Sequence, residues 1–295
     1  MKNKILKRLI CTLSLSLISF SIFSSPLLSN SFKKDTVPGN AYKIKTIIVD
    51  PGHGGAPTGT GHFSHGASGA YSNERDVTLA IALKLQIAVE KNLPGVNVVL
   101  TRKTPDDVSW EKRAEIANEN KGDLFISLHC NALPDKVVHE HGRKVHVQDH
   151  SGRGVLLLVY GFHRSKEEEA AIGKKLYTDE DFSESDNGGF DPNDPTDVIL
   201  MNTIKTKYRK QSIHLANLIN GEFVDHDERH SDGVIEQGIY VLCHSAMPAV
   251  LVETGFIDNP DDEAYLNSEA GQDEVVASIV RALTTYKTEV EDVSQ

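Results

Sequence analysis

The chain reads as a single α/β domain, a central, mostly parallel, twisted sheet of about six strands with helices on both faces. Two observations carry this reading. Short apolar runs at 47–50, 96–101, 124–128, 155–160, 239–243 and 250–253 alternate with stretches of helical periodicity. Runs that are apolar throughout, without polar residues at alternate positions, suit parallel strands covered on both faces. No proline- or serine-rich linker and no internal repeat separates two halves, so the roughly 260 residues after the leader fit one large domain.

The first segment stands apart. Lys2, Lys4, Lys7 and Arg8 precede an apolar stretch at 9–23, and small polar residues follow up to Ser31. This is the pattern of a secretory signal peptide over 1–31, cleaved after Ser31. The rival reading, a membrane anchor, is weaker because the stretch is shorter than a typical span and interrupted by serines and a threonine. A short N-terminal segment at 32–44 leads to the domain at 45–288, and a tail at 289–295 ends the chain. The domain carries insertions near 135–154 and 165–200.

Three helices are legible. Val77, Ile81, Leu85 and Ala88 recur at helical spacing, with Asn73 as N-cap and Asp76 as its reciprocal partner. Ile213, Ala216, Leu218 and Ile219 mark a second. Val275, Val276, Ile279, Val280 and Leu283 mark a third, capped by Ser268.

Composition excludes some function classes. The formal net charge is -11, and loss of the leader removes four cationic side chains and no acids. So acidic a protein does not grip nucleic acid, nor adhere nonspecifically to anionic wall polymers or lipids. Only Cys130 and Cys243 survive processing, which is no disulfide scaffold; a single bridge between them stays open.

Chemistry gathers at strand ends, where ligands bind in α/β sheets. The run Ile47-Ile48-Val49-Asp50 enters the loop Pro51-Gly52-His53-Gly54-Gly55, which presents one histidine among glycines. A second run, Leu124-Phe125-Ile126-Ser127-Leu128, ends in His129. Glu74, after the cap residue Asn73, falls in a first helical turn, where backbone N–H groups favour a carboxylate. Two histidines and one glutamate match the ligand set of open catalytic zinc sites. Cys130 is next to His129 but alternation points it to the other face, so it reads as a small buried hydrophobe. A third run, Val250-Leu251-Val252, closes on Glu253. A glutamate there is costly to bury without a task, and beside a metal-activated water it can take up a proton and later return it.

Taken together, Val49-Asp50-Pro51-Gly52-His53-Gly54-Gly55, Glu74 with its helix, Ser127-Leu128-His129-Cys130-Asn131-Ala132 and Leu251-Val252-Glu253-Thr254-Gly255-Phe256-Ile257 resemble the successive signatures of zinc-dependent N-acetylmuramoyl-L-alanine amidases of the cell-division type. They occur in the family's order and span 44–287. The resemblance implies a peptidoglycan hydrolase with one catalytic Zn2+ held by His53, Glu74 and His129, and with Glu253 as catalytic carboxylate. The implied reaction is cleavage of the amide between the lactyl group of N-acetylmuramic acid and L-alanine, in wall turnover or daughter-cell separation. Asn131 and His244 are expected to bind substrate. Leu100-Thr101-Arg102 and Arg113 match further positions, read as structural. A monomer exported to the cell envelope, the periplasm, is expected, with peptidoglycan as substrate, an activator protein of the division machinery as partner, and no membrane span after processing. The alternatives are a zinc peptidase on another wall amide and a wall-binding regulator without catalysis; four intact strand-end residues argue against the latter.

The chain departs from the family pattern at Ala56-Pro57-Thr58-Gly59, where an aspartate is usual. The insertion at 135–154 holds His139, His141, His146 and His150, expected on a polar surface loop in preference to a second metal site; His62, His65, His226 and His230 read likewise as surface residues. The acidic stretch at 165–200 reads as a solvated loop. Because an inserted helix in related amidases blocks the zinc with a glutamate, autoinhibition by this stretch is the competing expectation.

Overall fold

The computed structural model describes residues 43–55, 65–141, 143–161, 165–178 and 191–292. The leader, the departure at 56–59 and His62 lie outside them.

The strands are β1 (Thr46–Pro51), β2 (Asn97–Leu100), β3 (Leu124–Asn131), β4 (Lys136–Glu140), β5 (Arg143–Val147), β6 (Val155–Tyr160), β7 (Ser231–Gln237) and β8 (Ala249–Phe256). The helices are α1 (Glu74–Asn92), α2 (Trp110–Glu119), α3 (Ser165–Thr178), α4 (Pro195–Gly221), the single turn α5 (Tyr240–Cys243), α6 (Pro260–Asn267) and α7 (Glu269–Asp292); a π-helical turn, Glu222–His226, extends α4. Six strands form one sheet in the order β2-β1-β3-β8-β6-β7, parallel except where β8 meets β6. No helix among the described residues is long and apolar enough to cross a membrane.

Period-two alternation divides the side chains between the two faces. Ile47 and Val49 of β1, Ile126, Leu128 and Cys130 of β3, and Val250 and Val252 of β8 pack with α1, α4 and α7. Ile48, Phe125 and Leu251 pack on the other face with Ala117 of α2 and Val241 and Leu242 of α5. The same alternation sends Asp50, Ser127, His129 and Glu253 toward this second face, and Cys130 away from His129.

Three local expectations are corrected. The run at 239–243 is not a strand: Tyr240–Cys243 forms a helical turn whose Val241, Leu242 and Cys243 are buried. The sixth strand is instead β7, an edge strand with few apolar residues that pairs in parallel with β6. Part of the insertion at 135–154 is a hairpin, β4 against β5. The α1 cap also differs, because the Asn73 side chain makes no cap bond and accepts from Ser68 Oγ at 3.0 Å, while Asp76 lies against Arg75. At α7 the expected cap forms, with Ser268 Oγ accepting from the N–H of Gly271.

Candidate metal centre

Parallel pairing aligns the strand ends. Pro51 is in register with Leu128, and His129 with Glu253, so the end of β1, His129 and Glu253 meet at the carboxyl edge of adjacent strands. His53 sits on the loop after β1 in a left-handed conformation, φ 60°, which a non-glycine residue holds only when its surroundings impose it. Two arginines impose it. Arg113, from α2, donates to Pro51 O at 2.6 Å and to His53 O at 2.7 Å. Arg102, just past β2, donates to Pro51 O and Gly52 O, both at 2.9 Å.

The charge of Arg113 is balanced by the buried Asp50. Its Oδ1 accepts from Arg113 Nη1 at 2.7 Å and Thr101 Oγ1 at 2.5 Å, and its Oδ2 from Ser127 Oγ at 2.7 Å. Burial works against the charged form, yet Arg113 and the two hydroxyls hold this carboxyl below the usual aspartate range.

Glu74 is the meeting point of the candidate ligands. Its Oε1 lies 3.1 Å from His53 Nε2 and 2.9 Å from His129 Nδ1. The rest of the carboxylate is fixed by backbone, Oε1 accepting from the N–H of Cys130 at 3.0 Å and Oε2 from that of Ala67 at 2.7 Å. Burial again opposes the charge, but hydrogen bonds from His129 and His53 outweigh it and keep Glu74 far below the ordinary glutamate range. Two glycines leave room for this packing. A Cβ on Gly52 would stand 2.4 Å from the His129 ring, and one on Gly66, itself at φ 74°, 2.4 Å from Glu74 Oε2.

Glu253 is different. Its Oε2 is buried without a hydrogen-bond partner. Burial pushes the carboxyl up to about 7, against the pull of His129 and helped by the repulsion of Glu74. A buried carboxyl oxygen with no partner is expensive in a finished core but apt in a site awaiting a ligand.

One supporting residue has no local signal in the sequence. Glu263 of α6 is buried and accepts from the N–H groups of Ala70, Tyr71 and Ser72, each at 2.9 Å, and from Ser72 Oγ at 2.8 Å. It thereby ties down the loop leading into Asn73 and Glu74. Tyr71 lies 192 residues away along the chain, so only the fold joins them.

The other expected site residues divide. Asn131 closes β3 beyond a bulge, on the same sheet edge as His129, with its side chain turned onto the N–H of Ala132. His244 is not brought to that edge. It precedes β8, whereas Glu253 lies toward the far end of the same strand, and its ring stacks on Tyr240 with centroids 3.8 Å apart. Of the stretch 165–200, read as a solvated loop, residues 165–178 instead form α3 with Glu168 buried, and α3 stands at the opposite edge of the sheet. Lys175 of α3 donates to Ala246 O at 3.0 Å, at the start of β8, and Glu169 pairs with Lys205 of α4 at 2.7 Å. Residues 179–190 lie outside the described residues. The insertion's described histidines join no cluster of three metal-binding groups, and His150 instead contacts Asp258 O. His65 meets Arg75, His226 Asp227 and His230 Asp232. Cys130 and Cys243 are both buried thiols, not joined in a disulfide.

The three groups His53, Glu74 and His129 each offer a ligand atom, and these lie within 4.8 Å of one another. Two imidazoles and a carboxylate suit a borderline divalent cation, and the partnerless Glu253 Oε2 adds an acid–base group, so the residues fit the metal that the motifs imply.

Comparison with known proteins gives one answer. The chain is 28% identical over 287 residues to N-acetylmuramoyl-L-alanine amidase AmiA of Escherichia coli K12, covering 97% of this chain and 91% of that protein. It is 25% identical to a germination-specific N-acetylmuramoyl-L-alanine amidase of Bacillus subtilis, covering 84% and 82%. The fold matches an N-acetylmuramoyl-L-alanine amidase of Clostridium difficile 630 with a TM-score of 0.56 at 23% identity, over 83% of this chain and 97% of that one. The CwlD amidase of Clostridioides difficile, solved in complex with the GerS lipoprotein, matches with a TM-score of 0.55 at 20% identity, over 83% and 98%. Residues 47–285 match the family model Amidase_3, N-acetylmuramoyl-L-alanine amidase, and the chain belongs to that family.

Proposed function

We propose that this amidase is exported by a signal peptide over residues 1–31 to the cell envelope. There it hydrolyses the amide between the lactyl group of N-acetylmuramic acid and the L-alanine of the stem peptide in peptidoglycan. The observation that carries the proposal is the convergence of His53 Nε2 and His129 Nδ1 on Glu74 Oε1, with Glu253 in register beside His129. In this reading His53, Glu74 and His129 hold one zinc ion. Bound there, zinc supplies Lewis acidity toward the scissile carbonyl and the attacking water.

The chain's own residues do the rest. Glu253 starts as a carboxylate, takes a proton from the attacking water and holds it, burial having raised this carboxyl to about 7. It then delivers that proton to the departing L-alanine nitrogen, so that water and amide become a lactyl carboxylic acid and a free amine. Glu74, fixed by two backbone N–H groups, keeps its charge and orientation throughout. Arg113 holds His53 by its carbonyl and Arg102 holds the preceding Gly52, which would limit reorganisation of the ligand set on binding zinc. Asn131, on the same sheet edge as His129, is assigned to orient the glycan–peptide junction.

The test is digestion of purified peptidoglycan with and without chelator, with products read by mass. Intact stem peptides bearing a free L-alanine amino terminus support the proposal, and fragments cut within the stem support the peptidase alternative. Activity surviving both chelation and Glu253→Gln would overturn the zinc mechanism. An activator protein of the division machinery is part of the same proposal, tested by adding candidate partners to the digestion.

A further inference from the structure

At the amino-terminal edge of β8 a second group of described residues brings three metal-binding side chains together, Glu167 of α3 with Cys243 and His244 at the end of α5. Cys243 Sγ lies 3.1 Å from His244 Nδ1 and 3.6 Å from Glu167 Oε2. Around a tetrahedral ion, bonds of about 2.3 Å to sulfur and about 2.1 Å to nitrogen or oxygen set neighbouring ligands roughly 3.5 Å apart. Cys243 therefore already stands at ligand spacing from both partners, and all three ligand atoms lie within 4.8 Å of one another.

Their present hydrogen bonding is crowded. Tyr240 O lies 3.1 Å from the N–H of His244, 2.9 Å from His244 Nδ1 and 3.2 Å from Cys243 Sγ. Three donors thus converge on one carbonyl, which has two lone pairs. A cation that took the thiolate and Nδ1 would relieve that competition and leave the helical bond in place. The imidazole is also pre-positioned. Its ring is stacked at 14° on Tyr240, and Asn118 pins the adjoining backbone by donating to His244 O at 2.9 Å and accepting from the N–H of Ala246 at 2.9 Å. Cys243 is buried, while Glu167 and His244 are half-buried and line a cleft of about 770 Å³ between α2 and α3. That cleft leaves a way in for the ion and a side for water.

We propose that Glu167, Cys243 and His244 form a second metal site, remote from the catalytic centre, that takes a borderline divalent cation of the zinc class and clamps α3 to α5. Thiolate, imidazole and carboxylate together disfavour magnesium and calcium, which seek oxygen alone. The site is separate from the His53, Glu74 and His129 set, and it stands or falls independently of the catalytic reading.

Cobalt titration of the metal-stripped, purified full chain tests this. The catalytic set contains no sulfur ligand, so a thiolate-to-cobalt charge-transfer band reports the second site alone. The wild type is expected to bind two equivalents and develop the band. Cys243→Ser is expected to bind one, show no band and keep its amidase activity, whereas His129→Ala keeps the band and loses activity. Glu167→Gln, at a half-buried position that leaves folding intact, is expected to need about tenfold more cobalt for the same band. No band in the wild type, a band that persists in Cys243→Ser, or a Glu167→Gln titration identical to wild type would each overturn the site as drawn.

Discussion

The two edges of the sheet hold their polar groups differently. At the carboxyl edge, Asp50, Arg113, Arg102, Glu74 and Glu263 are tied to groups far away in sequence, and four of these ties end on backbone carbonyls of 51–53. At the opposite edge, Lys205 pairs with Glu169 at 2.7 Å and reaches Glu168 only at 4.0 Å, between two surface helices. Burial there pushes Glu168 up to about 7, relieved by Lys205 and reinforced by Glu169. The first edge is over-determined, as a site that must hold a strained His53 requires. The second rests on a single short ion pair, with Glu168 left 4.0 Å from its cation.

The difference can be broken most severely at Glu253. Glu253→Gln keeps shape but cannot carry a proton, and hydrolysis of purified peptidoglycan should fall by about 10²–10⁴-fold with zinc content, read by elemental analysis, unchanged. Next comes Asp50→Asn, which leaves Arg113 buried beside a neutral amide and should cost about 3–5 kcal/mol in chemical denaturation at neutral pH. The sign of its pH dependence follows from the depressed Asp50 pKa. Its stabilisation is fully present above the unfolded-chain value near 3.9 and is lost as pH falls through the lower folded value. Below about pH 4, therefore, stability should decline less steeply in Asp50→Asn than in wild type.

A smaller effect is expected at Glu263→Gln. The amide puts an N–H₂ group against three backbone donors, costing about 1–3 kcal/mol in thermal unfolding. Because that loop leads into Glu74, zinc retention against a competing chelator should weaken too, while Glu253 keeps its role. Smallest of all, alanine at both Glu168 and Glu169 should leave the rate of wall hydrolysis unchanged, since these side chains stand by α4 and not by His129. A rise in rate would restore the autoinhibition that the acidic insertion suggested.

Reading the strands from the chain succeeded where burial on both faces imposes a continuous apolar run, as in β1, β3 and β8. It failed at 239–243 because four or five apolar residues serve a buried helical turn as well as a strand, and period alone does not separate them. It missed β7 because Val234 and Ile235 are its only large aliphatic residues and it lies at the sheet edge, where polar residues suffice. His244, expected to bind substrate, directly follows the run at 239–243; because that run is a helical turn before β8, the residue belongs to the other edge.

What the amino-acid sequence determined by itself was the set of strand ends and the side chains on them: His53, His129 and Glu253 after apolar runs, and Glu74 in a first helical turn. Those are local facts, because strand alternation and helix periodicity repeat within a few residues. Tertiary structure alone decided that Glu74 lies between the two histidines, that Arg113 and Glu263 brace the loops around it, and that Glu167 meets Cys243. Each of those depends on compensating a buried charge or N–H group with a partner distant along the chain, and no local pattern records which partner the fold will deliver.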